Sequence, residues 1–410
     1  MVINDFYLQF SERDITALIE YLKSKTDLPD ETAATKFNVV VDLLHSCELN
    51  CIGCGTNAKC IFYKNSVEKQ SSLDDIERMC IKIKEYALTT NKEVFVNLGG
   101  GEPFLRDDII DIIKIFNKYF GKNGVGIDTN GALDYSYDII SEVIDYVSYI
   151  GISLNGLKEY HNWWSGIPEY NAFDKCFNTI KHLCENERNA NIVEVTSVAT
   201  KNNINQLPEL MVELSRIGVK KYSVHRSIPV GRMALNEEII PNSNEYLQLL
   251  IDLIKASKNI DIDFHVHHSI ENIHRAILLS NNTYQQKKIG DPNKSSSIGI
   301  SPEGNVVFNA WCMVGAWKQI SCGNIFDSNL SLEAMLKNNE SNFAKAQIAS
   351  NSTNRCNGCN VLCSGGSRIA AAFHALNRLE KKEFEVNDII EAFNTIDPAC
   401  PKYEKGLISS

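Results

Sequence analysis

From about residue 37 the chain alternates short β-branched runs with longer amphipathic ones. Strands are predicted at "NVVVDLL" (38–44), "EVFVNLG" (93–99), "GVGIDT" (124–129), "VSYIGISL" (147–154), "VEVTSVAT" (193–200), "KKYSVHR" (220–226) and "IDIDFHV" (260–266). Apolar residues recur at helical spacing over 72–88, 107–120, 136–145, 171–187, 206–217 and 243–258, and Ser72 with Asp75 supplies a capping pattern for the first of these. Upstream, "SERDITALIEYLKSK" (11–25) reads as a helix capped by Ser11, with Ile15, Leu18, Ile19 and Leu22 on one face. This alternation is the mark of βα units around a parallel sheet. Six or seven units fit, fewer than a closed barrel needs. The predicted class is α/β, a partial (β/α)6 TIM-like barrel, with a doubly wound sheet as the second choice.

At 410 residues the chain exceeds one ordinary core. "PNKSSSIG" (292–299) is the best linker candidate, and beyond it come short strands, turns and six of the thirteen cysteines. The expected organisation is a helical segment over 1–36, the partial barrel over 37–291, and a small Cys-rich α+β extension over 292–410. A net charge of −10 with well-mixed signs lacks the concentrated basic face of a nucleic-acid binder, and "GVKKYSVHRSIPVGR" (218–232) is too short to supply one. No apolar run is long enough to span a membrane, and the N-terminus has no signal layout. A cytoplasmic protein with neither nucleic acid nor membrane as partner is expected.

In a reducing compartment, clustered cysteines read as metal ligands before disulfides. Cys80, Cys176 and Cys184 stand alone in helical patterns and are expected as buried filler, while Cys60 falls between the two readings. Cys47, Cys51 and Cys54, in "HSCELNCIGC" (45–54), directly follow the first predicted strand, where parallel α/β folds place their chemistry. Structural zinc usually wants four ligands. Three thiolates in C-x3-C-x2-C spacing can hold three irons of a [4Fe–4S] cluster and leave the fourth iron open. On spacing alone, chance, disulfides and zinc remain competitors.

The order of the motifs along the chain is more specific. "CELNCIGC" resembles the CxxxCxxC signature of radical S-adenosylmethionine (SAM) enzymes. "NLGGGEPFLRDD" (97–108) resembles that family's GGEP segment, "IDTNGAL" (127–133) its TNG segment, and "ISLNG" (152–156) its fourth-strand segment. "YHNWWSGIPEYNAFDKCFNTIKHL" is similar to the loop and helix that come next in the peptide-modifying branch. The resemblance implies that Cys47, Cys51 and Cys54 hold a [4Fe–4S] cluster whose open iron SAM chelates. It implies that carbonyls of Gly99, Gly100 and Gly101, with Glu102, meet the methionyl ammonium. Ser153 and Asn155 would face the ribose, with Asn130 nearby. Two residues depart from the family pattern: Gly53 stands where an aromatic precedes the third cysteine, and Asn155 stands where Asp is commoner. Trp163, Trp164 and His161 are expected as packing, whereas Arg226 and Arg232 are read either as carboxylate partners or as a solvated face.

"GISPEGNVVFNAWC" (299–312), "CGNIF", "CNGCNVLCSGGSR" and "DPACPKY" resemble the SPASM extension of peptide-modifying radical SAM enzymes. That resemblance implies at least one auxiliary [4Fe–4S] cluster on Cys356, Cys359, Cys363 and Cys400. Cys312 and Cys322 are left as a partial second set, or pooled with the C-x2-C pair in one twitch-like cluster. Zinc is the competing reading of the C-terminal set. The function implied is reductive cleavage of SAM to a 5′-deoxyadenosyl radical that abstracts a substrate hydrogen. The preferred substrate is a ribosomally synthesised peptide undergoing crosslinking, epimerisation or excision. An external electron donor, flavodoxin or ferredoxin, is implied, and a separate leader-recognition protein is expected as a partner. A small-molecule dehydrogenase or rearrangement enzyme is the alternative, and a metal-stabilised scaffold the remote one.

Overall fold

The computed structural model describes residues 4–25, 36–63, 71–279, 297–314, 321–337, 366–379 and 383–401. The predicted strands appear as β1 (Lys36–Asp42), β4 (Glu93–Gly99), β5 (Val125–Thr129), β6 (Tyr149–Ser153), β7 (Val193–Ala199), β8 (Lys221–Arg226) and β9 (Asp263–Val266). Two-residue strands β2 (Ser46–Cys47) and β3 (Lys59–Cys60) lie in the loop after β1. Late in the chain come β10 (Ser297–Ile300), β11 (Asn305–Val307) and β12 (Gly323–Asn324). The main sheet runs β12-β11-β10-β1-β4-β5-β6-β7-β8-β9, parallel from β10 through β9. This is the expected α/β architecture with an open sheet.

Period-two burial explains the strands. In β7, Val193, Val195, Ser197 and Ala199 are buried, while Glu194, Thr196 and Val198 turn to the other face. The apolar face packs on helices such as Leu73–Thr90, Ile109–Phe120, Ala172–Cys184 and Ser243–Ser257. Ser72 and Asp75 close a reciprocal capping box at the first of these, and Asn242 and Glu245 close another at the last. Ser11 accepts from Asp14 N and starts the helix Glu12–Ser24. The isolated Cys80, Cys176 and Cys184 are all buried in this core.

β10 pairs in parallel with β1, register Val39↔Ile298, and so extends the main sheet into the region expected as an extension. A second apolar cluster joins Ile228 and Val230 to Val307, Cys312, Phe373, Ile389 and Phe393. The helices Gly366–Asn377 and Val386–Phe393 therefore rest on the segment after β8.

On the polar face Asp42 lies opposite Gly99, Asp128 opposite Gly151, and Gly151 opposite Glu194. Burial lifts Asp42 to about 7, helped by Asp128 and Glu303. Burial lifts Asp128 to about 6, opposed by hydrogen bonds from Asn97 and Tyr149.

Candidate functional site

The loop leaving β1 is closed on itself. Leu43 N donates to Gly99 O (2.9 Å), Lys59 N to His45 O (2.7 Å), and β2 with β3 sets Cys47 opposite Cys60. Buried Cys60 donates to Glu48 O (3.6 Å), so its role is to pack the loop. Cys47 is buried, and Cys51 and Cys54 are half-buried. Leu49 N points at Cys47 Sγ and Ala58 N at Cys54 Sγ, each at 3.4 Å. Such amide donors favour thiolate over thiol. Against them, burial pushes Cys51 up to about 12, with Cys54 adding to the shift and Arg232 opposing it. Cys47 is raised by burial, then by Glu48 and Cys51.

Among the described residues no three His, Cys, Asp or Glu side chains are drawn together tightly enough to grip a single metal ion. A cubane cluster spreads its thiolates more widely than one ion does. Three neighbouring thiols on one loop, two of them with amide donors to sulfur, suit such a cluster.

Two segments hold the loop. After β4, Gly101 N donates to Leu44 O and Glu102 N to Ser46 O, both at 2.8 Å. A Cβ on Gly101 would lie 1.9 Å from Ser46 O, so glycine is needed for the two backbones to touch. Thr56 Oγ1 donates to Gly100 O (3.2 Å), committing one of the carbonyls expected to face SAM. Glu102 is fully buried and accepts from Phe104 N (3.0 Å), Thr129 Oγ1 (2.8 Å) and Asn130 N (2.8 Å). After β8, Arg232 Nε donates to Cys51 O (2.7 Å), its Nη1 to Ala58 O (2.6 Å), and its backbone N to Cys54 O (2.9 Å). Asn236 Nδ2 adds a bond to Ile52 O (3.2 Å). Arg232 is half-buried, and its guanidinium thus meets backbone carbonyls rather than a carboxylate.

Arg226 does meet a carboxylate. It forms a two-pronged pair with Asp397, 2.8 Å on each prong, with both side chains buried. Sequence reasoning found the arginine but could not find a partner 171 residues away.

Gly53 also acquires a physical reason. A Cβ there would sit 2.3 Å from the Trp164 ring and 2.4 Å from the Met233 methyl. Trp164 is buried with Tyr160, Met233 and Ile240, so space beside the third cysteine is already filled by an aromatic from the helix Lys158–Trp164. Asn130 touches the thiol set directly, its Nδ2 3.6 Å from Cys47 Sγ. Asn155 Oδ1 accepts from Val198 N (2.8 Å), and its own N donates to His161 Nδ1 (2.9 Å), which ties the end of β6 to β7 and to that helix. Burial holds His161 down at about 4, as a packing histidine. Ser153 is half-buried at the end of β6, its carbonyl accepting from Cys176 Sγ (3.6 Å).

Glu48, between the first two cysteines, was not singled out by spacing. It is 1 % exposed, and among the described residues its Oε1 has no hydrogen-bond partner. In the C-terminal region Cys312 and Cys322 are both buried and close enough that Cys322 raises Cys312 beyond the effect of burial. Cys400 N donates to Asp397 O (2.8 Å), beside the Arg226 pair. Cys356, Cys359 and Cys363 lie outside the described residues.

Residues 42–214 match the family model of the Radical SAM superfamily. The fold resembles that of Streptococcus suis SuiB bound to precursor peptide SuiA, with a TM-score of 0.63 and 16% identity, covering 90% of this chain and 76% of that one. In sequence the chain is 25% identical over 238 residues to the mycofactocin maturase MftC of Mycolicibacterium smegmatis, covering 55% of this chain and 54% of that protein. It is 32% identical over 147 residues to the GTP 3′,8-cyclase of Clostridium perfringens (strain SM101 / Type A), covering 36% of this chain and 42% of that one. The chain thus spans about half the length of the curated relatives it matches. Among the described residues no helix is long and apolar enough to cross a membrane.

Proposed function

We propose that this chain, a radical SAM enzyme by the domain at 42–214, modifies a peptide substrate by hydrogen abstraction. The observation that carries the radical part is the thiol loop itself, clamped from two sides at the C-terminal end of β1. The peptide part rests on likeness over 90% of the chain to a fold that, in SuiB, is seen with a precursor peptide.

A [4Fe–4S] cluster on Cys47, Cys51 and Cys54, with SAM on its open iron, would supply one-electron cleavage of the sulfonium to methionine and a hydrogen-abstracting 5′-deoxyadenosyl radical. The chain's own residues do the holding. Gly101 and Arg232 keep the loop closed, the amides of Leu49 and Ala58 stabilise sulfur charge, and Trp164 walls the site beside Cys54. Seating between apolar walls excludes water from reactive species. The electron would come from an external flavodoxin or ferredoxin. Cys356, Cys359, Cys363 and Cys400 are proposed as ligands of an auxiliary cluster, with Cys312 and Cys322, a buried pair, as a partial second set.

The test is iron and sulfide per chain after anaerobic reconstitution, with and without Cys47→Ala/Cys51→Ala/Cys54→Ala, together with 5′-deoxyadenosine release under reduction. Near eight irons, falling by about four in the variant, are expected for two cubanes. Iron indifferent to the triple substitution, or zinc in its place, would leave a metal-stapled scaffold. A small-molecule substrate would be indicated if precursor-like peptides neither bind nor raise 5′-deoxyadenosine release while a small metabolite does.

A further inference from the structure

On the polar face of the sheet, Asp42 and Asp128 flank Gly99. Asp42 pairs with Gly99 across β1 and β4, and the pairing of Leu98 with Ile127 brings Asp128 to its other side. With parallel strands about 4.8 Å apart, the two aspartate Cα atoms stand about 10 Å apart across the glycine. Apart from its chain neighbours, a Cβ on Gly99 would meet nothing nearer than Asp128 Cβ at 4.0 Å, so a notch lies open between the carboxylates. Leu43 N takes up the Gly99 carbonyl within the sheet, which leaves the notch to be lined by side chains.

Those side chains are rich in acceptors and short of donors. Asp42 is 4 % exposed, and among the described residues no hydrogen bond reaches its carboxylate. Asn97, two residues before Gly99 on the same face, commits its Nδ2 to Asp128 Oδ2 at 2.5 Å and leaves its buried Oδ1 without a donor. The charges acting on Asp42 are those of Asp128 and Glu303, and the charge acting on Asp128 is that of Glu194. Glu303 is itself engaged by His45 Nε2 at 2.8 Å and Ser301 Oγ at 2.7 Å. Among the described residues no lysine, arginine or histidine is set against either aspartate. Asn97, Asp128 and Tyr149 are half-buried, so the notch is not sealed.

Buried acceptors without donors are costly unless a cation arrives. Three separate acceptors around one notch suit the three N–H donors of an ammonium, whereas a guanidinium favours both oxygens of a single carboxylate. We propose that this notch is a substrate subsite that receives a primary ammonium group, with Asp42, Asp128 and the Asn97 amide oxygen as acceptors. On the peptide reading of the chain, on which this assignment rests, the group is a lysine side chain. None of the three acceptors is among the residues expected to meet SAM. An ammonium fixed there holds its carbon stem toward the strand ends and so limits which C–H faces the radical.

The test uses iron-loaded full-length protein and three probes followed by ligand-observed NMR titration. Nα-acetyl-L-lysine methylamide carries the ammonium on a peptide unit, the norleucine analogue keeps the stem without the charge, and pentylamine keeps the ammonium without the peptide unit. The capped lysine should bind the wild type and lose about tenfold or more in both Asp42→Asn and Asp128→Asn, the loss expected for hydrogen bonds to a charged group. The norleucine analogue should bind weakly and equally to all three proteins. SAM affinity, read by equilibrium dialysis, and iron content should stay at wild-type values in Asp42→Asn. Lysine and norleucine probes binding alike, or no binding of either ammonium probe, would overturn the proposal. So would capped-lysine affinity within about twofold of wild type in both variants. A parallel loss of SAM binding in Asp42→Asn would overturn it in favour of a cofactor contact. If pentylamine binds with the same dependence on Asp42 while the capped lysine does not, the ammonium subsite stands and the peptide reading falls.

Discussion

Replacing Arg232 by alanine should loosen the thiol loop without touching a cysteine. The side chain gives two charge-assisted hydrogen bonds, to Cys51 O at 2.7 Å and Ala58 O at 2.6 Å. Each bond from a charged donor contributes about 1.5–3 kcal/mol when buried. Arg232 is only half-buried, so water can replace part of what is lost, and a net cost of about 2–4 kcal/mol is expected. The backbone bond from Arg232 N to Cys54 O survives in alanine, which confines the damage to loop closure. Arg232 also favours ionised Cys51, so its removal should weaken metal retention as well as loop geometry. The assay is anaerobic chelator challenge of iron-loaded protein, tracked by visible absorbance, beside urea unfolding of the iron-free chain. If loop opening limits iron release, a cost of 2 kcal/mol corresponds to release faster by about 30-fold. Arg232→Lys should fall between, because one ammonium cannot span two carbonyls in the fork geometry of a guanidinium. Release rates and unfolding midpoints for Arg232→Ala indistinguishable from wild type would refute the clamp.

Gly53→Phe, which restores the residue type of related motifs, should destabilise the protein by about 1–3 kcal/mol, because the Trp164 ring occupies that space; adding Trp164→Ala should recover part of the loss in thermal melts. Asp42→Asn should stabilise the chain in a pH-dependent way. Its folded value of about 7 exceeds the unfolded one, so the folded state binds the extra proton and stability declines as pH rises toward 7. The gain should be near zero at pH 4 and on the order of 4 kcal/mol at pH 8, read from urea midpoints. Arg226→Ala should cost about 3–5 kcal/mol by stranding the Asp397 carboxylate, whereas Arg226→Met with Asp397→Leu should cost much less. Equal losses for the single and double variants in denaturant titration would remove the pair from any special role.

The βα alternation and the place of the three thiols were legible in the sequence because both are local. Period-two burial in β7, the Ser72–Asp75 and Asn242–Glu245 boxes, and C-x3-C-x2-C spacing each fall within one turn or one strand. Likewise GGGEP, TNG and SLNG are short segments at strand ends, so their order survives reading along the chain. The contacts those segments make are not local. Arg232 reaches carbonyls more than 170 residues earlier, Arg226 finds Asp397, Trp164 fills the space beside Gly53, and β10 joins β1 beyond the expected boundary. A pattern of residue types determines which face of an element is apolar and which turn can close. Only packing in three dimensions decides which buried carboxylate is satisfied, as Glu102 is, and which, among the described residues, keeps an oxygen without a donor, as Glu48 does.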